Sequence, residues 1–349
     1  MKKQVLFILP ILLFSCSTSK INEKYAAKIA KEKLSLTEPL TAEVLKGGYS
    51  GAPVFTITSN SKKYVIRFIE HKSQKDREQE ILCLQAASDG GYGPHIYFAD
   101  SKQGIIIMEY LTQQIITPEM RSSDKLYILL AQLLQKIHNG PKYPNSINIF
   151  DTIQQNLETI KTKNNSNIPV IKIEEIINIT HKALASYTTA TTPCHNDIQP
   201  NNLIFLGNGF KAVDYETAAQ SDPYFDVATI AIFYCFFNPK TEQTLLTTYL
   251  AHQPTPQEKA RLYLMKQIAW IHYALVFLKI SDENINLYST LEVPSYGEFV
   301  LNRAKANKGD FERPENKVKF AKVMINLVIA NSESQEFSNA LKTLENKKG

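Results

Sequence analysis

Two short polar segments constrain this chain more than any other feature of its sequence. Residues His195–Asn202 read His-Asn-Asp-Ile-Gln-Pro-Asn-Asn, and eleven residues later Val213–Glu216 read Val-Asp-Tyr-Glu. Asp197 can accept a proton, while Asn202 and Asp214 can offer oxygen ligands to Mg²⁺. Transfer of a phosphoryl group to a hydroxyl needs these groups, because it depends on positioning and charge neutralisation. The alternative interpretation is a polar loop between two short apolar strands.

The residues that follow Asp197 predict a hairpin. Asn202–Phe205 and Phe210–Val213 read as short strands on either side of the turn Leu206–Gly209. A hairpin brings the ends of its two strands together. The three polar side chains of the two segments are therefore expected within a small volume.

The first third of the chain alternates between short apolar runs and turns. A helix is predicted over Asn22–Leu34, and a second over Gln74–Ser88, ended by Asp89-Gly90-Gly91. Strands rich in Val, Ile, Phe and Tyr are predicted at Glu43–Lys46, Pro53–Thr58, Tyr64–Ile69, Ile96–Ala99 and Gly104–Glu109. The expected unit is a small sheet with one helix inserted after its third strand.

Beyond Tyr110 the pattern becomes helical. Asp124–His138 has apolar residues at helical spacing, with Asn139-Gly140-Pro141 as a stop signal. His138, at the end of that helix, is interpreted as a packing residue. The residues after Asp222 also read as helices, and one of these, Lys266–Lys279, carries the only tryptophan of the chain.

Over about residues 22–330, the chain resembles the choline/ethanolamine kinase group of the aminoglycoside-phosphotransferase-like family. The spacing of the two acids and the asparagine is also that of the kinase catalytic loop. Protein kinases usually have Asp-Phe-Gly at the second site, where this chain has Asp-Tyr-Glu, as is typical of choline kinases. The residues that carry the resemblance are Cys194–Asp197, Gln199, Asn202, Asp214–Glu216 and Asp226 within Tyr224–Ala228.

The resemblance implies an α+β, bilobal protein-kinase-like fold. Residues 21–111 would form a small N-terminal ATP-binding lobe, with a five-stranded antiparallel sheet and one helix. Residues 112–349 would form a larger, mainly helical lobe with the catalytic and acceptor-binding groups. Residues 1–20 are assigned to a separate N-terminal segment.

The resemblance also implies how ATP and Mg²⁺ are held. Asp197 would be the catalytic base, and Asn202 and Asp214 would bind the metal. Gly47, Gly48 and Ser50 lie between the first two predicted strands, where kinases cover the phosphates with backbone N–H groups.

Arg67 on the third predicted strand would grip the phosphates with its fork of donors. Its alternative is a surface arginine on an amphipathic strand. Glu80 is the preferred ion-pair partner of Arg67, although Glu78 lies two residues away. Glu109 and Leu111 would bind adenine through their backbone at the hinge that joins the lobes.

The acceptor pocket is predicted around Trp270 and Tyr273. These residues are three apart on one helix and share a face. Choline kinases have a similar Trp-x-x-Trp pair, and aromatic faces attract quaternary ammonium groups. Ordinary core packing of an aromatic stripe is the alternative. Gln199 and Glu216 are assigned to the same substrate site.

His195 and Asp226 are assigned supporting roles. Asp226 is expected to brace the catalytic loop through hydrogen bonds, and His195 to fix Asp197 rather than to carry a proton. Neither residue is expected to touch the substrate.

The N-terminus resembles a bacterial lipoprotein signal. Lys2 and Lys3 precede the apolar run Val5–Phe14, which is too short to cross a membrane as a helix. Cys16 would then be the lipidated residue and attach the protein to a membrane. The alternative is a cytoplasmic protein with an apolar first helix, and the scarcity of ATP outside the cytoplasm favours it.

Composition excludes some partners. The net charge of +5 includes the two N-terminal lysines, so the remainder is nearly balanced and no nucleic-acid partner is predicted. The four cysteines lack the short paired spacing of a zinc site or a disulfide framework. Oligomeric state is left open.

The expected function is phosphorylation of the hydroxyl of a small amino-alcohol by ATP and Mg²⁺, with choline first and ethanolamine second. A thiamine or aminoglycoside kinase is the alternative enzyme. A non-catalytic nucleotide-binding lipoprotein is the alternative of another class.

Overall fold

The computed structural model describes residues 21–45, 52–163, 167–187, 190–236, 238–303 and 313–345. Gly47, Gly48, Ser50 and Cys16, which were assigned to sites above, lie outside these ranges. The chain divides into two compact units. The first comprises the residues up to Gln74 together with Ile96–Tyr110, and the second comprises Lys75–His95 and the residues from Leu111 onward.

The first unit is built on a five-stranded antiparallel sheet, as predicted. Its strands follow the order β1-β2-β3-β5-β4. Helix α1 (Glu23–Leu34) packs against β1 and β2, and the side chain of Asn22 caps it by accepting from the Tyr25 amide. The strands are β1 (Leu40–Val44), β2 (Val54–Ser59), β3 (Lys62–Phe68), β4 (Ile96–Asp100) and β5 (Ile105–Glu109).

The pattern of burial in β2 explains why the sequence predicts this sheet well. Phe55 and Ile57 alternate with half-buried residues and enter a core shared with Ile66, Phe68 and Ile107. Strand β1 is the exception, because it begins at Leu40 and ends at Val44, earlier than predicted. All five of its residues are half-buried or exposed, so its sequence carries little alternation.

Helix α2 (Gln74–Asp89) groups with the second unit rather than with the sheet. The amide of Gln79 donates to the Ala218 carbonyl at 3.0 Å, and the Cys83 thiol lies 3.5 Å from the same oxygen. The helix ends where Gly91 adopts a φ of +70°, as the two glycines predicted.

The second unit is mainly helical. Its helices are α3 (Pro118–Ser122), α4 (Asp124–His138), α5 (Ile149–Lys163), α6 (Val170–Ala185), α7 (Pro223–Ile230), α8 (Pro239–Leu250), α9 (Pro256–Ile280), α10 (Tyr296–Arg303), α11 (Pro314–Ser332) and α12 (Gln335–Glu345). Its strands are β6 (Thr192–Cys194), β7 (Leu203–Phe205), β8 (Phe210–Ala212) and β9 (Ala219–Ser221). The predicted helix over 124–138 and the predicted hairpin are both confirmed.

Helix α9 is the central element of this unit. It begins with a capping box between Thr255 and Glu258 and has proline at its first position. It packs against α5, α6, α7, α11 and α12, so almost every face of its middle turns is buried. A helix surrounded in this way can hold a side chain in a fixed position. Among the described residues, none of the helices combines the length and the hydropathy needed to cross a bilayer.

Candidate active site

The loop after β6 is held by one buried carboxylate. Strand β6 pairs with β9, and Asp226 on α7 accepts hydrogen bonds from the backbone amides of His195 at 2.8 Å and Asn196 at 2.9 Å. Asn196 adopts a φ of +62°, a conformation that asparagine tolerates better than most residues. The turn therefore directs the next residue, Asp197, to a fixed place.

Asp226 belongs to a larger buried network. Nε2 of His138 lies 3.1 Å from one Asp226 oxygen, and Nδ1 of His138 lies 2.8 Å from the hydroxyl of Tyr249. His138 is thus a support for the loop as well as a packing residue. Its sequence gives no signal for this role, because its partner lies on another helix.

His195 is fully buried and neutral. Its Nδ1 accepts from the Asp197 amide at 3.3 Å, so its Nε2 donates to the Val213 carbonyl at 2.9 Å. Burial is the main cause that lowers the pKa of His195. This geometry ties the loop before Asp197 to the segment before Asp214, and it is the geometry expected of a structural role.

The Asp197 carboxylate has a donor on each oxygen. The hydroxyl of Tyr273 on α9 donates to Oδ1 at 2.9 Å, and the side-chain amide of Asn202 donates to Oδ2 at 2.8 Å. The same amide also donates to the Asp197 carbonyl at 2.9 Å. The carboxylate is therefore fixed in orientation as well as in place.

The surroundings of Asp197 raise its pKa to about 7. Desolvation by burial is the largest cause, while the hydrogen bond from Tyr273 acts in the opposite direction. The negative charges of Asp214 and Glu216 raise this pKa further. A carboxyl with a pKa near neutrality suits a general base that works near neutral pH.

The hairpin β7–β8 brings Asn202 and Asp214 together. The Val213 amide donates to the Asn202 carbonyl at 2.9 Å, directly before Asp214. Asp214 has a φ of +66°, so the chain turns sharply there into the single 3₁₀ turn Tyr215–Thr217. Aspartate is one of the few residues that enter this conformation readily.

The oxygen atoms of Asn202 and Asp214 are ligands of the type that suits Mg²⁺. The nitrogen of the Asn202 amide is directed at Asp197, which leaves its oxygen as the atom that can serve as a metal ligand. Asp214 contributes a half-buried carboxylate. Oxygen atoms of carboxylates and amides are the ligands that Mg²⁺ prefers in proteins.

A second possible metal group lies behind the loop. Ligand atoms of His138, Cys194 and Asp226 lie within 4.8 Å of one another. However, burial raises the pKa of the Cys194 thiol well above its usual range, and metals bind the thiolate. Both oxygens of Asp226 already accept hydrogen bonds. The group is therefore better explained as a structural network.

Trp270 and Tyr273, the predicted aromatic pair, pack against different residues. Trp270 is 2 % exposed, and its ring lies edge-on to Tyr296 with the centroids 5.9 Å apart. Tyr273 is 4 % exposed and lies edge-on to Phe233 at 5.0 Å. The assignment of Trp270 and Tyr273 to an acceptor pocket stays a prediction.

Phe233 and Tyr296 were not identified from the sequence. Phe233 belongs to a π-helical turn, Ala231–Cys235, that continues helix α7. The Tyr296 hydroxyl donates to the Ile232 carbonyl at 3.0 Å and so fixes α10 to this turn. No pattern in the sequence distinguishes a π-helical turn from the α-helix it continues.

The remaining predicted substrate residues are Glu216 and Gln199. Glu216 is half-buried in the 3₁₀ turn after Asp214. Gln199 is half-buried, and its backbone carbonyl accepts from the backbone amide of Asn202 at 2.9 Å. Their roles toward a substrate stay predictions.

The predicted nucleotide residues fall in both units. Arg67 is 6 % exposed near the end of β3, which excludes the alternative of a surface arginine. Glu109 ends β5, opposite Tyr64. In the second unit, Glu80 is buried on α2 whereas Glu78 is exposed, and Leu111 is half-buried. The ion pair and the adenine contacts stay predictions.

Comparison with known proteins identifies the family of the chain. The model of the phosphotransferase enzyme family matches residues 41–262. Protein LicA of Haemophilus influenzae is 22% identical over 255 residues, which cover 70% of this chain and 92% of LicA.

Solved structures show the fold. A choline/ethanolamine kinase family protein from Mesorhizobium loti aligns with a TM-score of 0.65 and 19% identity, covering 91% of this chain and 98% of that one. Choline kinase LicA from Streptococcus pneumoniae aligns with a TM-score of 0.57 and 22% identity, covering 92% and 99%. The predicted protein-kinase-like α+β fold is confirmed.

Proposed function

This chain belongs to the phosphotransferase enzyme family, and from that premise we propose that it transfers the γ-phosphoryl group of ATP to a small amino-alcohol. Choline is the first candidate and ethanolamine the second. The enzyme class, a small-molecule phosphotransferase, follows from the family and from its structural neighbours. The proposal adds the identity of the acceptor and the use of ATP and Mg²⁺.

The observation that carries the proposal is the environment of Asp197. Its carboxylate is held by two donors, and its pKa is raised to about 7. Such a group can accept the proton of an acceptor hydroxyl as the new O–P bond forms. A protein that only bound a nucleotide would have no need of a base held in this way.

Asn202 and Asp214 would hold Mg²⁺ beside this base. When bound there, the metal supplies charge neutralisation on the phosphate oxygens. The role of the protein is to fix the Asn202 amide through Asp197 and to place Asp214 at its turn. The proposal also keeps the prediction that Arg67 binds phosphate oxygens with its fork of donors.

The charge of the site supports a cationic acceptor. The charges of Asp214 and Glu216 act on Asp197, and Tyr273, which donates to Asp197, packs edge-on against Phe233. Aromatic faces and acidic groups both attract an ammonium group. A choline/ethanolamine kinase family protein and a choline kinase are among the structural neighbours, which supports an amino-alcohol acceptor, and aminoglycoside phosphotransferases are among them too, which keeps the aminoglycoside in the test.

The test is a panel of acceptors assayed with Mg-ATP. Protein lacking residues 1–20 would be given choline, ethanolamine, thiamine or an aminoglycoside, and phosphorylated product measured directly. We expect turnover with choline, and loss of turnover with retained nucleotide binding in Asp197→Asn. Asp151→Asn, an exposed acid on α5, is the matched control. Turnover only with thiamine or an aminoglycoside would reject the acceptor, and nucleotide binding without turnover on the panel would favour the non-catalytic alternative.

We also propose attachment of the protein to a membrane through lipidated Cys16. The support is the N-terminal sequence, in which a basic start and an apolar run precede this cysteine. Cys16→Ser should release the protein from membranes and prevent incorporation of labelled fatty acid. A wild-type protein that keeps its N-terminus and fractionates with the cytoplasm would reject the proposal.

A further inference from the structure

We infer that Tyr273 is a positioning residue for the base, whose phenol and the Asn202 amide together clamp the Asp197 carboxylate. This assignment differs from the aromatic wall expected from the sequence. It rests on the proposed function, since a base must exist for its position to matter.

The geometry of the carboxylate supports the clamp. Tyr273 donates to Oδ1 at 2.9 Å and Asn202 donates to Oδ2 at 2.8 Å, so each oxygen is held from a different element. Rotation of the carboxylate would break both bonds. A single donor on one oxygen would restrain the orientation of the carboxylate less.

The phenol is itself held firmly. Tyr273 lies in the buried middle of α9, and its ring packs edge-on against Phe233 at 5.0 Å and His272 at 5.2 Å. Burial raises the pKa of the Tyr273 hydroxyl well above its usual range, so the group stays protonated and remains a donor. The ring is therefore a rigid support that extends from the core of the unit.

The clamp leaves hydrogen-bond acceptor sites of the Asp197 carboxylate available to a substrate hydroxyl. Each carboxylate oxygen has two acceptor sites, and each protein donor uses one of them. A substrate hydroxyl can therefore still donate to Asp197 while Tyr273 and Asn202 stay in place. Because Tyr273 acts through Asp197, its hydroxyl should influence the rate of transfer more than the affinity for the acceptor.

The experiment compares Tyr273→Phe with wild type in steady-state kinetics. The substitution keeps the ring and removes only the donor. We expect kcat to fall about tenfold to a hundredfold, as for loss of one hydrogen bond to a charged group, while both KM values stay within about twofold. Tyr127→Phe is the matched control, since this buried tyrosine donates to the Arg121 carbonyl at 2.8 Å, and its kcat should not change.

Two kinetic results would overturn the inference. An unchanged kcat in Tyr273→Phe would show that the donor does not position the base. A raised KM for the acceptor with normal kcat would show that the residue contacts the substrate instead. If the wild type phosphorylates no acceptor, the proposed function fails, and a stability measurement decides the clamp separately.

That measurement is a double-mutant cycle of unfolding with Tyr273→Phe and Asp197→Ala. If the two side chains are coupled, the double variant should be less destabilised than the sum of the single variants. Additive losses would overturn the inference whether or not the protein is active.

Discussion

Replacement of Asp226 by asparagine should loosen the catalytic loop while leaving the size of the side chain unchanged. The wild-type carboxylate accepts from two backbone amides, of His195 and Asn196, and lies 3.1 Å from His138. An asparagine offers one oxygen in place of two. Its NH₂ group would face one of the two amides, donor to donor.

The magnitude follows from these contacts. A hydrogen bond to a charged group contributes about 1.5–3 kcal/mol, and a buried donor left without a partner costs about 1–3 kcal/mol. Asp226 is fully buried, so water cannot replace the lost acceptor. We expect Asp226→Asn to lower the free energy of unfolding by about 3–5 kcal/mol, the range found when a buried charged network is broken.

The assay is denaturant unfolding combined with turnover at a temperature where the variant remains folded. Turnover should fall at that temperature as well, because Asp197 follows the two tethered residues. Asp151→Asn on the exposed face of α5 controls for loss of an acid. A loss of unfolding free energy below about 0.5 kcal/mol, the usual range for surface changes, would refute the reasoning.

Three further predictions concern the metal, the aromatic residues and pH. Asp214→Ala should weaken Mg-ATP binding and turnover together, measured by calorimetry and kinetics; unchanged binding would remove Asp214 from the metal site. Trp270→Leu should raise the KM for choline about two- to thirty-fold if its ring faces the cation, from about 0.5–2 kcal/mol; loss of folding would identify it as core. Burial lowers the pKa of His272 to about 4 from 6.5, so the unfolded state binds the proton first as pH falls below 6.5. The free energy of unfolding that this group contributes above pH 6.5 is then lost toward pH 4, by about 2 kcal/mol at pH 5. Between pH 6.5 and pH 5, the free energy of unfolding should therefore fall less in His272→Phe than in the wild type.

The sequence predicts most of the fold because the residues that start and end its helices and turns are local signals. Helix α4 begins and ends where the Asp124 start and the Asn139-Gly140 stop place it. Strands β2 and β3 join through Asn60 and Ser61, both of which adopt positive φ. These signals lie within a few residues of the structure they determine.

The supports of the site could not be predicted in the same way. His138 meets Asp226 across 88 positions of sequence, and Tyr249 meets His138 across 111. Neither residue lies in a local pattern that points to its partner. Such contacts depend on how α4, α7 and α8 pack, and packing is not visible in spacing.

Tyr273 shows where spacing stops being informative. The interval between Trp270 and Tyr273 correctly predicts that both lie on one helix, but it does not say which atoms of their rings are used. A tryptophan presents a donor nitrogen on a bicyclic ring, whereas a tyrosine presents its hydroxyl at the end of the ring. In this chain that hydroxyl reaches Asp197 at 2.9 Å.

The departure from the Trp-x-x-Trp pattern therefore concerns chemistry as well as size. A phenol at position 273 joins Asp197 to the core of the second unit, and Phe233 packs against the ring. Under the proposed function, the cation-binding role that two tryptophans would share would fall to ring faces and to carboxylates. Acceptor preference and base positioning would then be coupled through one residue, so substitutions at Tyr273 should separate them only when the ring is kept.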